Sequence, residues 1–444
     1  MFDTVTSARA LMGMSLAFHI VFTAIGIGLP LLFLIAEGIS LRTGNEEYRQ
    51  MARRWGRTAG VLFAVGAVSG TLLSFEFGLL WPTWMEFSGG IIGFIFGLEG
   101  FAFFTEAIFL GLYLYGWDRL SPRAHWLCSI PIVISSAASA FFVISANGWM
   151  NQPTGFDVVD GKPVNIEPLA VMFNKAMPYE VTHGTLASYV AAGFAVAAVY
   201  AFAMLRGDRS DYNKKALVLA LVVAAVFAPL QVVSGDLSAR FLAHNQPEKF
   251  AALEGQFETE KGAPLRIGGW PDTEDKTTRF AIEIPKAASL LAFEDVDAEV
   301  RGLNSFPEGN IPDARLVHPW FQAMVAIGSF MVLVVAWFFG LAWWRKRIEP
   351  GRLLLLAVMA AAPLSFLAIE AGWCLTEFGR QPWIIYHVMR TADGATPREG
   401  IAWILMLFAL VYVALAAGLA LLLFREQRRP LKPLGPLRRI SDAP

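Results

Sequence analysis

Four residues that could bind iron are scattered through apolar stretches of this chain. His19, His183 and Glu377 supply nitrogen and oxygen donors, and Met324 supplies a thioether sulfur. Singly, each has a structural explanation, because histidines are often hydrogen-bonded near membrane interfaces and methionine fills packing gaps. As a set they suit zinc poorly, whereas His with Met is a known axial pair for low-spin heme iron. A His or a carboxylate alone would leave an iron position open, as oxygen binding requires.

Carboxylates also occur where a membrane helix would not normally carry them. Glu99 and Glu106 are seven residues apart, which is nearly two helical turns, so both lie on one side of a helix. Glu370, Trp373 and Glu377 share one face of another apolar stretch. For Glu99 and Glu106, hydrogen bonding between helices is one explanation, but the free-energy cost of burying carboxylates in a membrane favours a functional role.

The composition identifies the class of protein. Of 444 residues, 55% are hydrophobic and 16% are charged, which is far more apolar than a soluble protein of this length. The fold class predicted is therefore an all-α polytopic membrane protein, and nucleic acid is not a plausible partner. Cys128 and Cys374 belong to no CxxC or CxxCH pattern, which argues against a disulfide framework, a zinc site and covalently attached heme.

Nine apolar runs have the length, roughly 20 residues, that crosses a hydrocarbon core of about 30 Å. The first is too long for a signal peptide and has no cationic region before it, so we expect it to remain as a span. The predicted transmembrane helices cover residues 11–36, 57–80, 91–116, 126–147, 183–205, 216–235, 318–344, 353–378 and 401–424.

The connections between these runs predict an orientation. Alternate short connections and the C-terminal tail hold 21 of the 36 Lys and Arg residues, against 6 in the N-terminus and the remaining short loops. The positive-inside rule then places the N-terminus outside and the C-terminus in the cytoplasm. The chain divides into helices 1–6 (1–236), an external loop (237–317), helices 7–9 (318–424) and a basic cytoplasmic tail (425–444). We find no internal repeat, which weakens a transporter hypothesis based on inverted repeats.

This topology gathers the candidate iron ligands on one side of the membrane. Spans one, five and seven start outside, so His19, His183 and Met324 lie towards the outer surface, and span eight runs outward to end at Glu377. Four donors from four spans are thus predicted to converge in the outer leaflet.

The same residues lie within motifs that resemble subunit I of cytochrome bd-type quinol oxidase, including its cyanide-insensitive variant. The resemblance extends from about Phe18 to Trp383, and nine spans with an external loop after the sixth agree with it. The motifs are EGFAFFTE (99–106), GWDR (116–119), ANGWM (146–150), KFAALE (249–254) and GRQPW (379–383) preceded by Glu377.

The resemblance implies three hemes near the outer surface, a low-spin heme b, a high-spin heme b and either heme d or a third heme b. His183 and Met324 resemble the axial ligands of the low-spin heme, and His19 and Glu377 those of the two high-spin hemes, in an order left open. The implied reaction oxidises a membrane quinol and reduces O2 to water, building a membrane potential without proton pumping. The implied location is the bacterial inner membrane.

Further roles follow from the same resemblance. Lys249 and Glu254 resemble quinol-site residues of the external loop, called the Q-loop, and Glu99 and Glu106 resemble proton-conducting carboxylates. A bidentate guanidinium at Arg380 suits heme propionates. Arg9 and Trp373 complete the predicted cofactor contacts. The expected partner is subunit II in a heterodimer, and a small single-helix subunit is a further candidate.

Two departures from the family pattern qualify these expectations. Many members carry Arg two positions before the axial Met, where this chain has Gln322, so a positive charge near the low-spin heme is absent. The Q-loop has the short form. Two alternatives stay open at this point: a two-heme cytochrome b that passes quinol electrons to another protein, and an ion or substrate transporter with a buried carboxylate pair.

Overall fold

A computed structural model describes residues 3–428, and within that range the chain is predominantly helical. Nine of the helices in the described range are long and apolar enough to cross a membrane, which confirms the predicted number of spans. These are α1 (Thr4–Thr43), α2 (Glu46–Leu80), α3 (Pro82–Tyr115), α4 (Pro122–Asn151), α6 (Met177–Leu205), α7 (Asp211–Asn245), α10 (Ala314–Arg345), α11 (Arg352–Arg380) and α13 (Ile401–Arg428), and the short helices between them are α5 (Pro168–Met172), α8 (Pro247–Glu254), α9 (Ala287–Phe293) and α12 (Thr391–Gly394).

Ten short strands form five two-stranded antiparallel sheets in the described part of the chain. The pairs are β1 (Asp157–Val159) with β2 (Lys162–Val164), β3 (Glu260–Lys261) with β8 (Glu299–Val300), β4 (Leu265–Ile267) with β7 (Ile282–Ile284), β5 (Trp270–Asp272) with β6 (Thr277–Arg279), and β9 (Trp383–Ile385) with β10 (Met389–Arg390). Two 3-10 turns, Leu303–Ser305 and Glu308–Asn310, follow β8.

Polar residues set the limits of the long helices. Asp3, Asn45 and Asp313 precede α1, α2 and α10, and each side chain accepts a hydrogen bond from a backbone N–H of the first turn.

Helix α7 continues beyond its apolar run to Asn245, and Arg240 pairs with Asp236 one turn earlier at 2.8 Å. The segment between α7 and α10 therefore covers residues 246–313, which is shorter than the predicted 237–317.

Helix pairs in this bundle lie close together because small residues line their contacts. Helix α6 packs on α1, α7 and α11. At the crossing of α1 and α6, a Cβ added to Gly28 would lie 2.3 Å from Cβ of Ala192, so only glycine allows this approach. Small residues at such crossings are typical of membrane bundles, where dispersion contacts replace the hydrophobic effect as the main attraction between helices.

The segment 246–313 folds against one end of the bundle. Helix α8 packs on α7, α10 and α11, and β5 packs on α10. Gly255 ends α8 in the left-handed conformation, with φ 63°, and a Cβ there would lie 2.6 Å from Oγ1 of Thr278. The segment thus packs against α10, the helix that carries Met324.

Most of the predicted basic tail, residues 429–444, lies outside the described residues.

Candidate functional site

His19 is held from the neighbouring helix α2. Its Nδ1 lies 2.9 Å from Oγ of Ser69, and a Cβ added to Gly70 would lie 3.0 Å from its Cε1. Helices α1 and α2 pack along much of their length, and the ring is half-buried between them. The glycine lets the imidazole lie close enough for the serine to bond it.

His183 has a matching environment on the pair α6 and α7. Its Nδ1 lies 3.0 Å from Oγ of Ser234, and a Cβ added to Gly235 would lie 3.4 Å from its Cε1. Its Nε2 lies 3.0 Å from the side-chain nitrogen of Gln231, whose Oε1 is buried without a hydrogen-bond partner among the described residues.

Met324 faces a glycine on the adjacent helix. A Cβ added to Gly372 of α11 would lie 3.0 Å from Sδ of Met324 on α10. The thioether also borders an apolar cluster that includes Leu375 and Phe378. The sulfur therefore lies in a space that any larger residue at 372 would enter.

Glu377 is positioned by two residues of the recognised motifs. Asn147, from the ANGWM motif, donates from Nδ2 to Oε1 of Glu377 at 2.9 Å, and Arg380 donates from Nη2 to Oε2. The Arg380 side chain is buried, yet its Nε and Nη1 have no partner among the described residues. Two unpartnered donor nitrogens on a buried guanidinium are suited to carboxylate acceptors such as heme propionates.

These contacts place the four donors towards one end of the bundle, the end at which α1 begins, here termed the α1 end. His19, His183 and Met324 lie in the first half of helices that start there, and Glu377 lies near the finish of a helix that ends there. The bond between Asn147, near the end of α4, and Glu377 joins two such helix ends. Helix direction therefore brings all four side chains towards the α1 end.

The donor set fits heme better than a bare metal ion. In residues 3–428, no group of three or more His, Cys, Asp and Glu side chains is arranged to hold a metal. Isolated donors are what an iron needs when a porphyrin supplies its equatorial nitrogens. The close glycines and the unpartnered groups of Arg380 and Gln231 agree with a planar ligand entering between the helices.

Lys249 lies at the same end but is only 2% exposed. Its Nζ donates to Oδ1 of Asn151 at 3.2 Å and to the carbonyl of Thr376 at 3.3 Å, one residue before Glu377. A Cβ added to Gly379 would lie 2.8 Å from its Cε, so the glycine of GRQPW leaves room for the lysine stem. Lys249 therefore contacts the turn that carries Glu377.

The electrostatics of Lys249 follow from this burial. Desolvation lowers its pKa from the usual lysine value, and the positive charge of Arg380 acts in the same direction. The carboxylates of Glu180 and Glu377 oppose that shift. The cluster thus contains two basic and two acidic side chains.

Glu254 ends α8 and is 4% exposed. Burial raises its pKa to about 7, with Arg266 acting in the opposite direction. The carbonyl of the preceding residue, Leu253, lies 2.8 Å from Nδ1 of His318, and Nε2 of His318 lies 2.9 Å from the carbonyl of Gly268. The Glu254 carboxylate is therefore held next to the α10 helix.

Gln322, the position that departs from the family pattern, has a structural role here. Its Oε1 accepts from the backbone N–H of Gly268 at 2.9 Å, and its Nε2 donates to the carbonyl of Arg266 at 2.9 Å. Together with His318, one turn earlier, Gln322 joins the segment 246–313 to α10, the helix that carries Met324. The amide pairs with both kinds of backbone group, which a guanidinium cannot do because it has no acceptor.

The remaining predicted residues lie as follows. Glu106 is buried and Glu99 is half-buried on α3, where Oγ of Ser139 donates to Glu99 at 3.0 Å. Trp373 is half-buried on α11. Arg9 is exposed at the start of α1, and its charge interacts with Glu377.

Several buried polar groups were not anticipated from the sequence. Glu76, on α2, is 1% exposed and accepts a hydrogen bond from Ser15 at 2.6 Å. Nearer the opposite end, Nδ1 of His125 lies 2.7 Å from Oε1 of Glu37. Asn147 belongs to the ANGWM motif, but its hydrogen bond to Glu377 is evident only from the fold. For the serines beside the two histidines, the available signal is the sequence Val-Ser-Gly, which occurs at 68–70 and again at 233–235.

The fold is that of a multi-pass, predominantly helical membrane protein, and the candidate iron donors lie towards one end of it, an arrangement that suits an electron-transfer protein. Residues 7–430 match the family model described as cytochrome bd terminal oxidase subunit I. The chain therefore belongs to the cytochrome bd oxidase subunit I family. Its members are quinol:oxygen oxidoreductases that serve as respiratory terminal oxidases. Membership of this family excludes the two alternative functions considered from the sequence, an ion or substrate transporter and a two-heme cytochrome b.

Individual relatives agree with the family model. The chain is 41% identical to a chain of the bd oxidase from Geobacillus thermodenitrificans, with a TM-score of 0.91, covering 97% of this chain and 99% of that one. A Bacillus subtilis protein named provisionally as cytochrome bd menaquinol oxidase subunit I is 37% identical, covering 97% of this chain and 98% of the relative. The Bacillus subtilis cytochrome bd ubiquinol oxidase subunit 1 is 31% identical, covering 95% and 93%.

Proposed function

We propose that this chain is the heme-carrying subunit of a respiratory oxidase, with His183 and Met324 as the axial ligands of a low-spin heme b. His19 and Glu377 would each bind one of two high-spin hemes, the second being heme d or a third heme b. When bound, these groups would supply electron transfer and the site of oxygen reduction. The chain's own residues hold them, supply protons and bind quinol.

The observation that carries this proposal is the arrangement of the four donors at the α1 end. His19, His183 and Met324 each face a glycine across a helix contact, at positions 70, 235 and 372. Glu377 is held instead by Asn147 and by Arg380, whose unpartnered N–H groups suit a propionate. Arg9 and Trp373 are the further residues that we expect to contact the cofactors.

The orientation proposed from the charge distribution makes the α1 end the outer face of the membrane. Quinol would then bind from the outer leaflet against the segment 246–313, with Glu254 accepting a proton and releasing it outside. The pKa of Glu254, about 7, suits a group that both takes and gives up a proton near neutral pH. Lys249, which contacts the Glu377 turn, would supply positive charge between the quinol and heme sites.

Protons for oxygen reduction would come from the opposite, cytoplasmic face. Glu106 lies deeper along α3 than Glu99, and the two point the same way, so they are suited to hand protons towards the α1 end. Consuming cytoplasmic protons near the outer face separates charge without a pump. Each elementary charge moved stores about 2.3 kcal/mol per 100 mV.

We place the complex in a bacterial inner membrane, with subunit II as its partner and a small single-helix subunit as a further candidate. The relatives' names support the quinol substrate, since one names menaquinol and another ubiquinol. O2 is the second substrate.

The Met324→Leu variant tests the proposal. Leucine keeps the size of the side chain but cannot ligate iron, so the low-spin heme spectrum should become high-spin. Met331→Leu is the matched control, because Met331 is buried in an apolar cluster on the same helix. A low-spin spectrum unchanged in Met324→Leu would remove Met324 as a ligand.

A further inference from the structure

The sequence Val-Ser-Gly occurs twice, and each copy faces one of the candidate ligand histidines. Residues 68–70 lie on α2 beside His19, and residues 233–235 lie on α7 beside His183. In both copies the serine oxygen meets Nδ1, at 2.9 Å and 3.0 Å, and the glycine lies against Cε1. Two helix pairs far apart in the chain therefore contain the same local geometry.

The other hydrogen bond of each serine determines whether the serine or the histidine donates in the Ser–His bond. A serine hydroxyl has one hydrogen. Ser69 donates it to the carbonyl of Gly66 at 3.0 Å, and Ser234 donates it to the carbonyl of Gln231 at 2.9 Å. Each serine oxygen must then accept from the imidazole, so Nδ1 carries the hydrogen and Nε2 keeps its lone pair.

A separate contact supports this tautomer at His183. The side-chain nitrogen of Gln231 lies 3.0 Å from Nε2, and an amide nitrogen can only donate. With the amide in this orientation, Nε2 is the acceptor, as a nitrogen that binds iron must be. The Gln231 side chain would have to withdraw for iron to take its place.

We infer that Ser69 and Ser234 are matched positioning residues, which fix His19 and His183 in the Nδ1–H tautomer and aim Nε2 at heme iron. The inference rests on the proposed heme ligation and goes beyond it by assigning the residues behind the ligands. The hydrogen bond behind a metal-bound histidine sets its orientation and its basicity. A hydroxyl is a neutral acceptor, so it fixes the ring without giving the imidazole the added electron density that a carboxylate would.

The test is a set of single substitutions read by heme spectroscopy. Ser234→Ala should raise the midpoint potential of the low-spin heme alone, because the imidazole becomes a weaker donor, and should weaken retention of that heme by about 10–100-fold. Ser69→Ala should change one high-spin heme and leave the low-spin heme unaltered. Ser234→Thr, which keeps the hydroxyl, should retain the wild-type midpoint potential of the low-spin heme.

Matched controls lie on the same helices. Ser238 donates to the carbonyl of Ser234, and Ser74 donates to the carbonyl of Gly70, so Ser238→Ala and Ser74→Ala each remove a hydroxyl bonded to backbone without touching a histidine. Both should leave every heme potential unchanged. If an alanine variant does not accumulate, Ser→Cys keeps the volume with a much weaker acceptor and should shift the potential in the same direction.

The outcomes separate this inference from the proposed function. If Ser69→Ala and Ser234→Ala leave potentials and band positions unchanged while His183→Ala removes the low-spin heme, the positioning role is wrong and the ligand assignment stands. If His183→Ala retains a wild-type low-spin heme, the ligand assignment itself is wrong, and the inference for Ser234 is overturned with it.

Discussion

If Met324 binds heme iron as we propose, adding one methyl group opposite it should disconnect its sulfur from the iron. In Gly372→Ala, the new Cβ would lie 3.0 Å from Sδ, whereas non-bonded heavy atoms prefer about 3.5–4.0 Å. The sulfur must therefore move by about 0.5 Å to reach the near end of that range, which is the limit of displacement that a positioned ligand tolerates. Alanine is the better helix former by about 1 kcal/mol, so we expect the helix itself to remain intact.

The assay is the absorption spectrum of the reduced protein with and without carbon monoxide. Gly372→Ala should convert the low-spin heme to a high-spin form, and the opened iron position should bind carbon monoxide. Gly328→Ala on α10 is the matched control, because no described atom lies within 4 Å of its added Cβ. A Gly372→Ala protein with a wild-type low-spin spectrum and no new carbon monoxide binding would refute Met324 as a ligand opposite this glycine.

Three further predictions concern protons and quinol. Glu106→Gln should slow oxygen consumption by about 100-fold, as loss of a positioned proton carrier does, with heme content intact; normal turnover would remove Glu106 from the route. Because burial raises the pKa of Glu254 to about 7, its carboxylate forms as pH rises through neutrality, so initial rates of quinol oxidation should rise over that range. Glu254→Gln should abolish this dependence, and an unchanged pH profile would exclude Glu254 as the acceptor. Proteolytic nicking between Lys249 and Lys286, with the exposed Lys276 turn as the accessible site, should stop quinol oxidation but spare oxygen reduction by an artificial donor, whereas joint loss of both activities would count against a quinol site there.

The number of spans could be predicted from the sequence because each helix must bury about 20 residues in lipid, a constraint that acts on every segment separately. The helix ends could not be predicted from that constraint. Helix α7 runs beyond its apolar run to Asn245, and polar contacts such as the pair of Asp236 with Arg240 accompany the extension. Such pairs depend on helical spacing and not on hydropathy.

For the candidate site, residue chemistry and topology were enough to expect His19, His183, Met324 and Glu377 at one end. The partners of these donors depend on which helices pack together, and the sequence does not specify that. Asn147 illustrates the difference, because its motif was evident while its bond to Glu377 needed the contact of α4 with α11.

The heme content of the purified protein, taken together with its reduced-minus-oxidised spectrum, decides whether these helices carry the proposed hemes. We expect three hemes bound among this chain's helices, one of them low-spin and dependent on both His183 and Met324. A purified, folded protein without heme bands, or one whose low-spin heme survives the loss of both residues, would contradict this expectation.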